Sequence, residues 1–364
     1  MAWRCKCVNT RQIPGRDKIG SLAPGKYKTF KGTEISIKNC VKAKVKDLRV
    51  EGKTYQNLFK AELSQGHVGN SSTTYDLRVN SEGFSLEEKT YTLYINTNYQ
   101  LLLYYDYVNT GSSYVSWTDK IVWTNSTKTN NIRIMVKKTD NSEITVDEVI
   151  GKIVLLEGDY TNIDIPNSIN GIESVAEREK NLLSIKINDN TTTLNLPIPL
   201  RSLPNNVCDT IEGNTLVQRV GKVVLDGSLD EEWEISNKIN NLLNVGFLIE
   251  SCVNKPRNPN IAYYYFCDKL PNQDTPIADT KTEGIMLHGK KAYIRIFLDK
   301  LDSKDIGGFR TWLSENPVTI YYELAEPIIH DLEIPQLNTS KGANIITTEN
   351  NIKPNMTMKV KVKK

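Results

Sequence analysis

Histidine is nearly absent: three residues, His67, His288 and His330, serve a chain of 364. None lies in a zinc-type spacing or a nucleophile-elbow pattern, so imidazole-based acid, base or metal chemistry has few candidates. Cysteine is sparse as well, with six residues at 5, 7, 40, 208, 252 and 267. Scattered over so long a chain they do not form a disulfide scaffold, and reduced thiols are expected. The Cys5-x-Cys7 pair lacks the second half that would complete the roughly four ligands of a zinc site, so neither a metal nor a cofactor is expected. Long apolar runs are missing too: Leu101 to Tyr105 is among the longest, far short of the ~20 residues that span a bilayer. The mean hydropathy of −0.42 agrees, and membrane insertion is not expected. The opening MAWRCKCVNTRQIPGR lacks the ~7 to 15-residue apolar core of a secretory signal, which points to synthesis in the cytoplasm without a signal peptide. Gly307-Gly308-Phe309-Arg310 is the nearest text to a phosphate-binding glycine loop and lacks its Lys and Ser or Thr.

Charge is present but unevenly spread. The net charge is +3, yet residues 1–60 hold 15 basic against 4 acidic residues, or +11, which leaves −8 for the rest. Such polarity sets the basic end against an acidic partner, either another protein or a polyanion; the plainer reading is a solvated, lysine-rich β surface.

Apolar residues recur mainly with period two between turns rich in Asn, Gly, Asp, Ser and Thr, which predicts an all-β chain of many short strands. Ile35, Ile37, Val41, Ala43 and Val45 share one parity, and Leu48 and Val50 the other, so a bulge is expected near Lys46 and Asp47. Tyr91, Leu93 and Ile95, then Leu101, Leu103, Tyr105 and Tyr107, read as a hairpin. Ile132, Ile134 and Val136, followed by Ile144 and Val146 across a Thr139–Ser142 turn, read as another. Pro166, Pro197, Pro199 and Pro204 punctuate a polar stretch that marks a linker. One helix is predicted near 303–315, with Asp302 or Ser303 as N-cap, a stripe of Ile306, Phe309, Trp312 and Leu313, and a stop at Asn316-Pro317. Gly307 and Gly308 weaken its intrinsic propensity, so packing on a sheet must hold it. The lysines alternating with Met356, Met358, Val360 and Val362 suit an edge strand. The expected domains are a basic attachment segment at 1–60, a β-sandwich at 61–160, a linker at 161–206 and a second β-sandwich at 207–364.

Aromatic residues cluster at Tyr94, Tyr99, Tyr104, Tyr105, Tyr107, Tyr114, Trp117 and Trp123, interleaved with short polar side chains. Ring faces stack on the C–H face of a sugar while amides and carboxylates take its hydroxyls. Strand parity turns Leu101, Leu103 and Tyr105 to one face and Tyr104 and Asp106 to the other. Tyr104, Asp106, Tyr114 and Trp117 are therefore the candidate glycan-binding residues, and Trp123 is expected in the core. The alternative is that these rings are core or protein interface, where Tyr and Trp are also enriched. Base stacking is disfavoured because the region lacks clustered Lys and Arg in sequence, so no nucleic-acid partner is expected. No catalytic residue is identified, and a non-enzymatic protein is expected, with a glycan hydrolase as the less favoured alternative.

Several longer strings carry a resemblance. Arg11-Gln-Ile-Pro-Gly15, Tyr27-Lys-Thr-Phe-Lys-Gly-Thr33 and Val50-Glu-Gly-Lys-Thr-Tyr-Gln-Asn57 are similar to the N-terminal part of tail and baseplate proteins of bacteriophages and prophages of Gram-positive hosts. Gly151-Lys-Ile-Val-Leu-Leu-Glu-Gly158, Gly171-Ile-Glu-Ser-Val175, Leu200-Arg-Ser-Leu-Pro204, Val207-Cys-Asp-Thr-Ile211, Arg219-Val-Gly-Lys-Val-Val-Leu-Asp-Gly227, Phe309-Arg-Thr-Trp-Leu-Ser-Glu-Asn-Pro317 and Tyr321-Tyr-Glu-Leu-Ala-Glu-Pro327 resemble later parts of the same proteins. Asn206 stands where those sequences tend to have Gly; Asn also tolerates a left-handed backbone, so the turn can persist. The resemblance implies a virion protein, or its counterpart in a phage-tail-like bacteriocin. It would sit at the tail tip, dock on other tail proteins through the basic N-terminus, bind host cell-wall glycan and form a homo-oligomer, in this family a trimer. It also implies that the part ending near Gly158 is similar to jelly-roll carbohydrate-binding modules. It supplies no catalytic residue.

Overall fold

The computed structural model describes residues 27–39, 42–67, 74–79, 83–105, 113–125, 131–228, 230–258, 262–273 and 281–362. The chain is all-β, as the period-two pattern predicts, and divides into two units: Tyr55–Glu173, and Met1–Thr54 together with Ser174–Lys364.

In Tyr55–Glu173, one sheet has the order Lys120–Thr124, Thr90–Tyr94, Val154–Glu157. The other has five strands, in the order Leu63–Gln65, Asp76–Val79, Arg133–Lys138, Tyr99–Tyr105, Ser113–Thr118. Every pairing between these strands is antiparallel. A single apolar cluster draws Tyr91, Leu93, Ile121 and Leu155 from the first sheet and Leu77, Leu101, Leu103, Ile134 and Val136 from the second. Trp123 is buried beside Tyr91, ring centroids 5.6 Å apart.

Two expected hairpins are absent. Thr90–Tyr94 and Tyr99–Tyr105 lie in different sheets, so the chain crosses the core at Asn96–Asn98 instead of folding back on itself. Alternation alone fixes which residues are buried, and both strands bury theirs in the same cluster. After Thr139–Ser142, Ile144 precedes a single helical turn, Val146–Val149, and no strand forms. The Thr145 N–H donates to Glu148 Oε2 at 2.7 Å, and this local bond favours a helical turn over a second strand.

In the other unit, the largest sheet runs Tyr27–Gly32, Met356–Val362, Ala43–Glu51, Thr210–Glu212, Thr215–Leu225, Val318–Asp331, Tyr265–Cys267, with Asn338–Thr339 paired to Ala43–Glu51. The lysine-bearing strand Met356–Val362 is therefore interior, between two partners, and is not an edge. Lys359 is exposed on the face opposite Met356, Met358 and Val360, which are fully buried. The expected bulge is present: Lys46 pairs with Lys359 and Arg49 with Thr357, and Asp47 between them has φ 48°. A four-stranded sheet joins Asn190–Asn195, Leu182–Ile187, Gly342–Thr348 and Ile35–Asn39. The region 161–206 thus contributes a paired hairpin where a linker was expected, and part of 1–60 is woven between C-terminal strands. Leu183, Ile185, Ile187, Ile35 and Ile37 are all buried, and pairing with the C-terminal strands is what removes them from water.

A second four-stranded sheet, in the order Trp233–Ile239, Leu242–Leu248, Lys291–Phe297, Gly284–His288, shares its core with the helix Ile306–Glu315. The N-cap is Asp305, whose Oδ1 accepts from Gly308 N–H at 3.0 Å, and not the expected Asp302 or Ser303, two or three residues earlier. Phe309 is fully buried and meets Trp233 edge to face at 4.8 Å. Gly308 is required despite its low helix propensity: a Cβ there would lie 1.9 Å from the Ser303 carbonyl oxygen. At Leu203–Asn206 a turn places Asn206 at φ 66°, the left-handed conformation expected of it.

Candidate functional site

Four of the five strands Leu63–Gln65 to Ser113–Thr118 turn their even or odd partners away from the core in matched rows. Leu101, Leu103, Ile134, Val136 and Leu77 face inward, so Leu102, Tyr104, Arg133, Met135, Lys137 and Arg78 face outward. Across the strands Tyr114 stands opposite Tyr104, and Tyr104 opposite Arg133. In the next row Leu102 is opposite Met135, and Met135 opposite Arg78; beyond it, Gln100 is opposite Lys137, and Lys137 opposite Asp76.

The position of Trp117 depends on an irregularity. Leu101 pairs with Thr118 and Leu103 with Val115, which leaves both Ser116 and Trp117 opposite the single residue Leu102. This bulge puts Trp117 on the outward face, where parity counted from Tyr114 would have turned it inward. There Trp117 and Tyr104 pack on the buried pair Leu102 and Met135. The Lys137 ammonium stands over the Trp117 ring, 4.7 Å from its centroid, and donates to Asn141 Oδ1 at 3.0 Å. Tyr104 and Tyr114 lie 5.9 Å apart with planes inclined at 45°, and Tyr114 is 60% exposed.

Three of the four predicted site residues are therefore brought to one face, and Asp106 lies outside the described residues. The face also holds three cations that no run of sequence announces. Arg78 donates from Nη1 to the His67 carbonyl at 3.1 Å, and its Nε is buried without a hydrogen-bond partner. Arg133 donates from Nε to Asn131 Oδ1 at 3.1 Å. Asp76 in the same strand as Arg78 is held by His67 Nδ1 at 3.1 Å. These residues come from strands some 55 positions apart, so only strand pairing assembles them.

Elsewhere, burial masks two of the thiols. Burial pushes the thiols of Cys252 and Cys267 up to about 12, which keeps them protonated and poorly nucleophilic at neutral pH. His330 Nε2 lies 3.0 Å from Gln218 Oε1, and His288 is exposed. Among the described residues, no group of three or more His, Cys, Asp or Glu is placed to hold a metal, and no helix is long and apolar enough to cross a membrane. The Cys5-x-Cys7 pair lies outside the described residues.

Compared with known proteins, the chain matches no protein-family model, no curated protein and no solved structure.

Proposed function

We propose that this chain is a tail or baseplate protein of a phage or phage-tail-like particle, and that it contributes to recognition of a host cell-wall glycan. The observation that carries the glycan reading is the outward face on which Tyr114 stands exposed beside Tyr104, with Trp117 one row away. An exposed ring leaning on a second ring offers a rigid amphipathic surface at little cost in side-chain entropy. The sequence strings quoted above support the particle assignment. A trimer would add avidity of about 10² to 10⁴-fold over a single weak site.

A scaffold role within the particle is the second reading, favoured by one observation: Tyr104 and Trp117 already cover Leu102 and Met135, so part of each ring is spent on packing. A glycan array probed with the full-length protein separates the two. The adhesion reading predicts retention on a restricted set of saccharides, and the scaffold reading predicts none.

A further inference from the structure

We infer that Asn170-Gly171 is a site of self-modification, where the chain converts its own asparagine to isoaspartate and so sets a chemical lifetime on the Tyr55–Glu173 unit. It is the one Asn-Gly dipeptide in the sequence. Both residues are exposed, and Gly171 has φ 74°, in the left-handed region. A Cβ at Gly171 would meet nothing within 4 Å, so no neighbour crowds the backbone there. Among the described residues the Gly171 N–H meets no acceptor and the Asn170 amide makes no hydrogen bond. The reaction needs only water. Hydroxide takes the proton of the Gly171 nitrogen, which attacks Cγ of Asn170; the side-chain nitrogen leaves as ammonia and a succinimide ring closes. Water then opens the ring. Opening at the main-chain carbonyl carbon leaves residue 170 joined to Gly171 through its side chain, as isoaspartate, and opening at Cγ gives aspartate.

The surroundings set this dipeptide apart from others with a small second residue. Ser142 N–H, which follows Asn141, is held by Asp140 Oδ1 at 2.9 Å, and Gly227 N–H, which follows Asp226, by Glu231 Oε2 at 3.1 Å. A nitrogen so engaged must break its hydrogen bond before it can attack. The consequence at Asn170 falls on Asn57. Its Nδ2 donates to the Ile169 carbonyl at 2.8 Å and its N–H to the Gly171 carbonyl at 2.7 Å, so one residue grips the chain on both sides of Asn170. Isoaspartate inserts one more carbon, about 1.5 Å of main chain, between those two carbonyls. Ile169 is fully buried in close-packed surroundings and cannot follow, so the grip of Asn57 is broken on one side.

The test ages the full-length protein in warm, mildly alkaline buffer, locates isoaspartate by peptide mass mapping and isoaspartate methyltransferase labelling, and compares urea unfolding before and after. Isoaspartate should accumulate at Asn170 about tenfold faster than at Asn141, where the attacking nitrogen starts from a hydrogen bond. The aged protein should gain a second population that unfolds at lower urea. Asn170→Gln, whose longer amide would have to close a six-membered ring, should stay unmodified and keep a single transition on ageing. Freshly prepared Asn170→Asp supplies the new charge without the extra carbon and should unfold like fresh wild type. An intact Asn170 under conditions that convert a synthetic peptide of residues 165–175 would overturn the inference, because the fold would then be protecting the site. Faster conversion at Asn141 would overturn it as well. Isoaspartate at residue 170 with unchanged urea unfolding, or an Asn170→Asp variant as unstable as the aged protein, would overturn the link to Asn57.

Discussion

Asp209→Ala unfolds the Met1–Thr54 and Ser174–Lys364 unit more readily than any surface substitution. The Asp209 carboxylate is fully buried, and Oδ1 accepts the backbone N–H groups of Arg219 at 2.7 Å and Val220 at 2.9 Å, while Oδ2 accepts Arg201 N–H at 3.0 Å. Two of these donors flank the bulge in Thr215–Leu225, where register with Val318–Asp331 shifts between Gln218 and Val220. A bulge leaves backbone groups without ladder partners, and here one side chain takes them. Removing it orphans three donors, two buried and one part-buried, at roughly 1 to 3 kcal/mol each, not fully additive, for an expected loss of about 3 to 5 kcal/mol. That is a large share of a ~5 to 15 kcal/mol stability and should lower Tm by roughly 10 °C in a thermal melt. Asp209→Asn should cost less than Ala, because the amide oxygen can keep the Arg219 and Val220 pair while its NH₂ faces the Arg201 donor. Burial raises the Asp209 carboxyl above the usual carboxylate range, and the three N–H donors pull it down without cancelling the rise. The folded chain then holds this proton to higher pH than the unfolded chain. The group's contribution is complete below the unfolded value and declines as pH rises toward the folded one. The advantage of wild type over Asp209→Asn should therefore shrink with rising pH across that window, and a constant or growing advantage would contradict the assignment.

The second large effect lies in the other unit. Asn57 is buried and its amide is saturated: Nδ2 donates to the carbonyls of Ile153 and Ile169, both at 2.8 Å, and Oδ1 accepts Phe59 N–H at 3.0 Å and Leu155 N–H at 2.9 Å. One side chain thus uses its full bonding capacity to tie the start of the unit to the strand that completes the three-stranded sheet. Asn57→Ala leaves four backbone groups, three of them buried, without their partner and is expected to destabilise Tyr55–Glu173 by about 3 to 4 kcal/mol. Asn57→Asp should be at least as damaging, since a carboxylate oxygen would face two carbonyls. Urea unfolding followed by tryptophan fluorescence, through Trp117 and Trp123, checks both. A loss below about 1 kcal/mol would show that water replaces the amide.

Much of this architecture is legible in the residues. Parity alone turns Leu101 and Leu103 inward and Tyr104 outward, and the phase change between Val45 and Leu48 marks the bulge at Asp47. The helix at Ile306–Glu315 follows from its stripe and its Asn-Pro stop, although Gly308 is explained only by the Ser303 carbonyl pressed against it. What sequence does not contain is which strand meets which. The turn at Asn96–Asn98 reads the same whether the next strand pairs with the last or joins the opposite sheet, and alternation does not decide between them. Met356–Val362 looks like an edge until Tyr27–Gly32 is seen to cover it. The same limit applies to the site. Arg133 and Lys137 share a face by alternation along one strand, but Arg78 joins them only through pairing, and Trp117 owes its face to a bulge. Asn57 and Asp209 carry no signal beyond being polar, since their roles are set by donors far along the chain.

If the Tyr104, Tyr114 and Trp117 face touches saccharide, Tyr114→Ala should weaken binding without weakening the fold. Tyr114 is mostly solvent-exposed, so its truncation should leave Tm within about 1 °C of wild type. Isothermal titration of the full-length variant with the best saccharide from the array should show roughly tenfold weaker binding, the worth of one stacking ring. Affinity unchanged by Tyr114→Ala would mean that the saccharide binds elsewhere on the protein.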